Sequence, residues 1–413
     1  MKFYRNCSEL VTLQGAARKE GRHIQETDLG RIRHGSLLID QGKILWTGED
    51  KKLPRDLAKS IAKKKNLKEF NMKGSLALPG WIESHTHTIF AGSRAEEFEL
   101  RNQGMSYQEI AQRGGGILST MKHTRQASPA ELLRTTQKRV DEFVRQGVCT
   151  LEVKTGYALD LKNEVKCLQV IQRLQGPQVI GTFLGAHARP PEFSDNSSYL
   201  DFLAQQVWPK IKKQNLAQRI DIFVEKAFFN FEESQVYLQK ARDMGFQVVV
   251  HADQLTLSGG SQLAVDVQAL SADHVLQVSE VEIKKLAASE VTAVLLPAAD
   301  LYMRCAYPKA RAMIEAGVRV ALATDFNPGS SPTQDLALVG LLARLEMKMT
   351  LAEVIAAYTV GAAFALELQS RKGSLDIGKD ADICFFENDL SDLFYSVGSM
   401  NPKLVLSRGK VIN

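Results

Sequence analysis

The sequence predicts an α/β protein, a (β/α)8 TIM-like barrel with a small composite β domain formed from both chain termini. Three observations predict it. From about residue 76 onward, short apolar runs rich in β-branched residues alternate with helical segments, the pattern of a parallel sheet with helical crossovers. Eight such runs can be counted, the strand number of this barrel. Outside that span, both ends of the chain read as strand-like runs joined by Gly-containing turns. The expected division is therefore a composite β domain over 1–75 and 366–413, and a barrel over 76–365.

In chain order, "GSLLIDQGKILWTGE" (Gly35 to Glu49) holds two apolar runs around Asp40-Gln41-Gly42-Lys43, which predicts a hairpin. Lys51 to Lys68 carries much of the positive charge and reads as a solvated helix. A nucleic-acid patch is the other reading, but no aromatics interleave the lysines. The barrel runs are "SLALPGW" near Leu76, "VCTLEVK" ending at Lys154, "VIGTFLGA" ending at Ala186 and "IDIFVE" ending at Glu225. They continue with "FQVVV" ending at Val250, the weaker "QALSAD" ending at Asp273, "VTAVLLP" ending at Pro297 and "VRVALAT" ending at Thr324. "GSLDIGKDADICFFE" (Gly373 to Glu387) and "KLVLSRGKVIN" (Lys403 to Asn413) return to the strand-and-turn texture.

Composition narrows the class. A chain of 413 residues with 44% hydrophobic and 24% charged residues reads as an ordinary globular protein with a large core. A formal charge of +5 is modest for this size and does not demand a polyanionic partner. The five cysteines, Cys7, Cys149, Cys167, Cys305 and Cys384, are dispersed and show no CxxC, which fits a reducing compartment. The first residues lack the apolar core of a signal peptide, and no apolar run approaches the ~20 residues of a membrane span. A cytoplasmic protein with no nucleic-acid or membrane partner is expected.

The chemistry is marked by the histidines. "PGWIESHTHTIFAG" places His85 and His87 two apart, and on a strand such residues share a face. Alone this is weak evidence, since a half-exposed strand shows it by accident. Of the eight histidines, however, five (His85, His87, His187, His251 and His274) lie at or just beyond the end of a predicted strand. Asp325 follows the last strand in "ALATDFNPG". The C-terminal ends of the strands are where such barrels keep their active sites, so these side chains should converge. Imidazoles with a carboxylate suit a divalent zinc or iron better than calcium or magnesium. His85, His87, His251 and Asp325 would make four ligands and leave a position for water, whose pKa such binding lowers from about 15.7 to about 7. His274 is better placed as a base or orienter than as a further ligand; a structural histidine bonded to backbone is the alternative.

This arrangement resembles the amidohydrolase superfamily. Within it, "HTHTIFAGSRAEEFELRNQGMSYQEIAQRGGGILSTMKHTR", "EVKTGYALD", "FLGAHA", "HADQLTLSGG", "SADHV" and "DFNPGSSP" resemble the imidazolonepropionases, in order and across nearly the whole barrel. The resemblance implies hydrolysis of 4-imidazolone-5-propanoate to N-formimidoyl-L-glutamate, a step of histidine degradation, with one divalent metal and a homodimer. It implies that Asp325 is both ligand and proton shuttle and that His274 hydrogen-bonds the developing oxyanion or the water. Arg94 would clamp the propanoate, since guanidinium grips carboxylate with two parallel hydrogen bonds; otherwise it is a surface arginine paired to Glu96 or Glu97. Tyr157 and His187 match substrate-binding positions. Asn327, Gly329 and Ser330 match a product-binding loop, and Tyr107 is a weaker contact. Gln254 can hydrogen-bond the ring but cannot act as acid or base. Glu225 and Lys226, where binuclear relatives place a bridging group, are expected to be structural. "RGGGIL" (Arg113 to Leu118) reads equally as a lid, an anion-binding nest or a plain loop. The rival readings are an aminohydrolase acting on a nucleobase and a non-catalytic barrel scaffold.

Overall fold

The computed structural model describes residues 1–63, 66–105, 109 and 115–413. Eight parallel strands form one sheet in sequential order. They are β1 (Trp81–Glu83), β2 (Val148–Lys154), β3 (Gln178–Ala186), β4 (Arg219–Val224), β5 (Gln247–Ala252), β6 (Ser271–His274), β7 (Thr292–Leu295) and β8 (Val320–Leu322). The sheet closes just beyond β1 and β8. A parallel bridge joins Thr86 to Phe326, Asp325 N–H donates to His85 O (3.2 Å) and His87 N–H donates to Phe326 O (2.9 Å). Glu83, fully buried, straps the same seam by accepting from Thr324 N–H at 3.2 Å. Burial pushes its carboxyl up to about 8, against the backbone N–H groups of Thr324 and His85.

Every residue of β2 and β4 is buried, as expected of strands covered on both faces. The crossover helices carry ordinary signals. Ser128 caps Pro129–Arg145, and Asn230 with Glu233 forms a capping box on Phe231–Asp243. Among the described residues no helix is long and apolar enough to cross a membrane.

The two chain ends interleave as expected. A four-stranded sheet holds Lys2–Arg5, Gly35–Asp40, Lys43–Glu49 and Lys68–Asn71, and the Asp40–Lys43 hairpin forms. In a six-stranded sheet, Ile383–Phe386 pairs with Leu404–Ser407 and with Leu76–Pro79. The run around Leu76 departs from expectation. It is two elements: Leu76–Pro79 belongs to the terminal sheet, and the barrel begins at Trp81. Gly80 is the hand-over, where a Cβ would lie 2.2 Å from Cys149 Sγ. Alternation alone does not tell which sheet a strand joins. The weak sixth run does form a strand, ending at His274. The lysine-rich stretch contains the helix Arg55–Ala62, with Ile61 turned inward and Lys59 exposed.

Candidate metal centre and substrate cavity

The strands deliver the predicted residues to one point. His85 and His87 leave the end of β1, His251 and His274 lie in β5 and β6, and Asp325 follows β8. Asp325 Oδ1 lies 3.4 Å from Nε2 of His85 and 3.4 Å from Nε2 of His87, while His251 Nε2 lies 3.4 Å from His87 Nε2. All four are at most 3% exposed. Asp325 (φ 53°) and His274 (φ 77°) adopt left-handed backbone, which a non-glycine residue holds at a cost of ~1–3 kcal/mol. Strain at two strand ends, both facing the cavity, is what a site held in one geometry shows.

The donor set fits a divalent metal. His85 Nε2 and Asp325 Oδ1 are buried without hydrogen-bond partners among the described residues, although they face one another. Orphaned buried lone pairs are costly, and a cation between them would satisfy them together. The electrostatics agree. Burial and nearby Lys154 oppose a charge on His85, yet Asp273 and Asp325 push its pKa up to about 9. Burial takes His87 the other way, to about 4, and lowers His187 and His274. Burial also opposes a charge on Asp325, but the His85 and His87 imidazoles beside it hold its carboxyl well below the usual range. The site thus favours one positive charge beside Asp325, which a proton supplies and a metal would replace.

Behind the histidines lies a charged layer that the sequence reading passed over. Asp273 Oδ2 accepts from His85 Nδ1 at 2.6 Å, and Asp221 Oδ1 accepts from His251 Nδ1 at 3.1 Å. Lys154 Nζ lies 2.9 Å from Glu152 Oε1, 2.9 Å from Asp221 Oδ2 and 3.5 Å from Asp273 Oδ2. The available signal was charge inside otherwise apolar strands, in "LEVK", "RIDIF" and "SADH".

In front lies a cavity of about 390 Å³ lined by His87, Arg94, Arg101, Tyr157, His187, Phe223, His251, Gln254, His274, Asp325, Asn327, Gly329 and Ser330. Arg94 is paired to Glu97, its Nε donating to Glu97 Oε2 at 2.8 Å, and its guanidinium also lines the cavity against Gly329. A Cβ on Gly329 would sit 2.2 Å from Arg94 Nη1, so a side chain there would displace the guanidinium. Arg101, which the sequence reading missed, stands two turns along the same helix, Ala95–Asn102, and donates to Gly329 O at 3.3 Å. His187 Nδ1 lies 3.0 Å from Gly156 O, to which it donates. That bond leaves Nε2 as an acceptor. Its ring stacks on His87 with centroids 5.2 Å apart, and Tyr157 lies 5.2 Å from it on another side.

Asn327 spends its amide on the loop. Oδ1 accepts from Gly329 N–H (2.8 Å) and Ser330 N–H (2.7 Å), and Nδ2 donates to Asp325 O (2.7 Å). Gln254 Nε2 approaches Met303 Sδ at 3.7 Å. His274 Nδ1 has no partner among the described residues, so the backbone-bonded alternative is not what forms. Glu225 accepts from Leu255 N–H (2.9 Å) and Thr256 N–H (3.0 Å), buttressing the segment after Gln254, and Lys226 is exposed. Tyr107 and, of the Arg113 to Leu118 segment, Arg113 and Gly114 lie outside the described residues; Gly115 and Gly116 lead into the helix Ile117–Gln126.

The family model described as the amidohydrolase family matches residues 76–412. An imidazolonepropionase of Bdellovibrio bacteriovorus is 59% identical over 408 residues, covering 99% of this chain and 96% of that one. An imidazolonepropionase of Shouchella clausii is 39% identical over 415 residues, covering 99% of this chain and 92% of that one. Among solved structures, an adenosine deaminase from Xanthomonas campestris with bound zinc superposes with a TM-score of 0.73 at 16% identity, covering 99% of this chain and 92% of that one. An atrazine chlorohydrolase from Arthrobacter aurescens complexed with zinc gives 0.71 at 17% identity, covering 100% and 95%. At such identities the structural likeness speaks for the fold.

Proposed function

The chain belongs to the amidohydrolase family and, within it, to the imidazolonepropionases, and from that premise we propose how its cavity opens the ring of 4-imidazolone-5-propanoate. It is a hydrolase of a cyclic amide C–N bond, acting on a small-molecule substrate in histidine degradation, and it has a metal site. His85, His87, His251 and Asp325 would hold one divalent ion, zinc or iron, which when bound polarises the ring carbonyl and activates water.

The remaining steps fall to side chains. Arg94 binds the propanoate, and Arg101 holds the Gly329 carbonyl behind it. His187 accepts a ring N–H through Nε2, Tyr157 walls the ring, and Gln254 offers a neutral amide. Asp325 takes the proton of the attacking water and returns it to the ring nitrogen as the C–N bond breaks, so one water is consumed and no net proton released. His274 hydrogen-bonds the carbonyl oxygen as charge develops on it. Asn327, Gly329 and Ser330 form the loop that receives the product carboxylate. We further infer a cytoplasmic homodimer with no nucleic-acid or membrane partner.

One observation supports this reading above the others: His87, His251 and Asp325 line a single cavity with an arginine, and His85 lies 3.4 Å from Asp325. An uncharged nucleobase needs no arginine clamp. The test follows ultraviolet loss of enzymically made imidazolone propanoate beside guanine, cytosine and dihydroorotate. Turnover of the imidazolone alone is expected; turnover of a nucleobase in its place would overturn the reading.

A further inference from the structure

Lys154 ends β2 inside the barrel at 1% exposure. Barrel interiors are ordinarily filled by Val, Ile and Leu. Replacing a buried ion cluster by packed apolar groups is often neutral or stabilising. Stability alone therefore does not account for a lysine surrounded by Glu152, Asp221 and Asp273. Their further contacts do. Asp273 accepts from His85 Nδ1 and Asp221 from His251 Nδ1. Glu152 and Lys154 hold the residue between His85 and His87: Thr86 N–H donates to Glu152 Oε2 (3.3 Å), Thr86 Oγ1 donates to Glu152 O (2.6 Å), and Lys154 N–H donates to Thr86 O (2.8 Å).

We propose that Lys154 is the positioning residue of the metal centre, its ammonium tying together the carboxylates that orient His85 and His251 and its main chain anchoring the segment that carries His87. The inference rests on the metal reading above. Three carboxylates this close in a dry interior repel one another, and the ammonium set among them draws them into one arrangement. An ionised carboxylate at Nδ1 accepts the ring proton there and leaves the Nε2 lone pair free. Lys154 reaches no cavity atom, so it positions rather than reacts. Burial opposes its charge, but Asp221, Glu152 and Asp273 together raise its pKa and keep it an ammonium.

The test measures zinc affinity of the full-length protein by competition with a chromophoric chelator, and the visible spectrum of the cobalt-loaded form. The variants are Lys154→Met and the charge-balanced Lys154→Met with Glu152→Gln, with exposed Lys226→Met as control. Zinc binding should weaken roughly 10–100-fold, the usual effect of losing a group behind a metal ligand. The cobalt spectrum should change, and circular dichroism of the metal-free protein should not. A folded variant with unchanged or tighter zinc binding and the parent cobalt spectrum would overturn the proposal. Should neither Lys154 variant fold, Asp273→Asn and Asp221→Asn decide by the same measurements, parent affinity in both overturning it. A parent protein that binds no zinc, cobalt or iron would instead sink the metal reading itself.

Discussion

The floor and the rim of the cavity are built differently. The floor residues His85, His87, His251 and Asp325 come from strand ends, are at most 3% exposed and are braced by groups on other strands. The rim residues Arg94, Glu97 and Arg101 come from one helix and lean on a single loop, and the Arg94 and Glu97 side chains keep 11% and 15% of their exposure. A floor held from several strands can keep ligand atoms in place before anything binds. A rim whose arginine is shared with Glu97 must exchange partners when a carboxylate arrives. The proposed function thus assigns the chemistry to the floor and the choice of substrate to the rim.

Substitutions can break that division or sharpen it. The largest effect is expected on the floor: His85→Ala or His251→Ala should leave a folded protein with little metal and almost no turnover. Elemental analysis and circular dichroism check this, and full occupancy with a normal rate would dissolve the distinction. Next comes Asp325→Asn, which keeps one oxygen toward the metal but no basic carboxylate. It should retain part of its metal and lose turnover by at least ~10²–10⁴-fold. Titrating metal while following rate separates the two roles of Asp325, since recovery of the parent rate at full occupancy would move the proton path to His274.

On the rim, Arg94→Met should weaken substrate binding by about 2–5 kcal/mol and leave metal content unchanged. A ring lacking the propanoate should barely register the change; equal losses for both compounds would make Arg94 structural.

The smallest effect concerns Asp300, buried at 1% between the two regions, whose carboxyl is raised to about 8 by burial and then by Asp325. Its folded pKa lies above the unfolded value. The folded state therefore keeps a proton that the unfolded chain has lost, and stability falls as pH rises from about 4 to about 8. Asp300→Asn should raise the thermal midpoint more at pH 8 than at pH 5. An equal shift at both would assign the gain to packing.

Much of the floor was legible because strand ends obey a simple rule. A parallel strand delivers its last inward residue to the mouth, and histidines at those places were visible in the letters. Lys154, Glu152, Asp221 and Asp273 followed the same geometry, yet they sat inside runs read as apolar strands, where the charge was the clue. The rim was legible only through resemblance, because helix Ala95–Asn102 meets the loop around Gly329 across a distance no local pattern records. Arg101 could have been found from its place two turns beyond Arg94. The split at Gly80 was hidden because Leu76–Pro79 and Trp81–Glu83 are equally apolar, and only their partners differ.

Those partners set a timetable. Leu76–Pro79 stands immediately ahead of the first two metal ligands, and it pairs with Ile383–Phe386 near the far end of the chain. Pairing across so long a separation is entropically costly and slow. As the ribosome releases this protein, the anchor of His85 and His87 is among the last parts to be synthesised, after every barrel strand has emerged. On the proposed metal reading, capture is therefore an event of nearly finished chains. A nascent chain stalled before Ile383 should emerge with its eight barrel strands made and no ion retained.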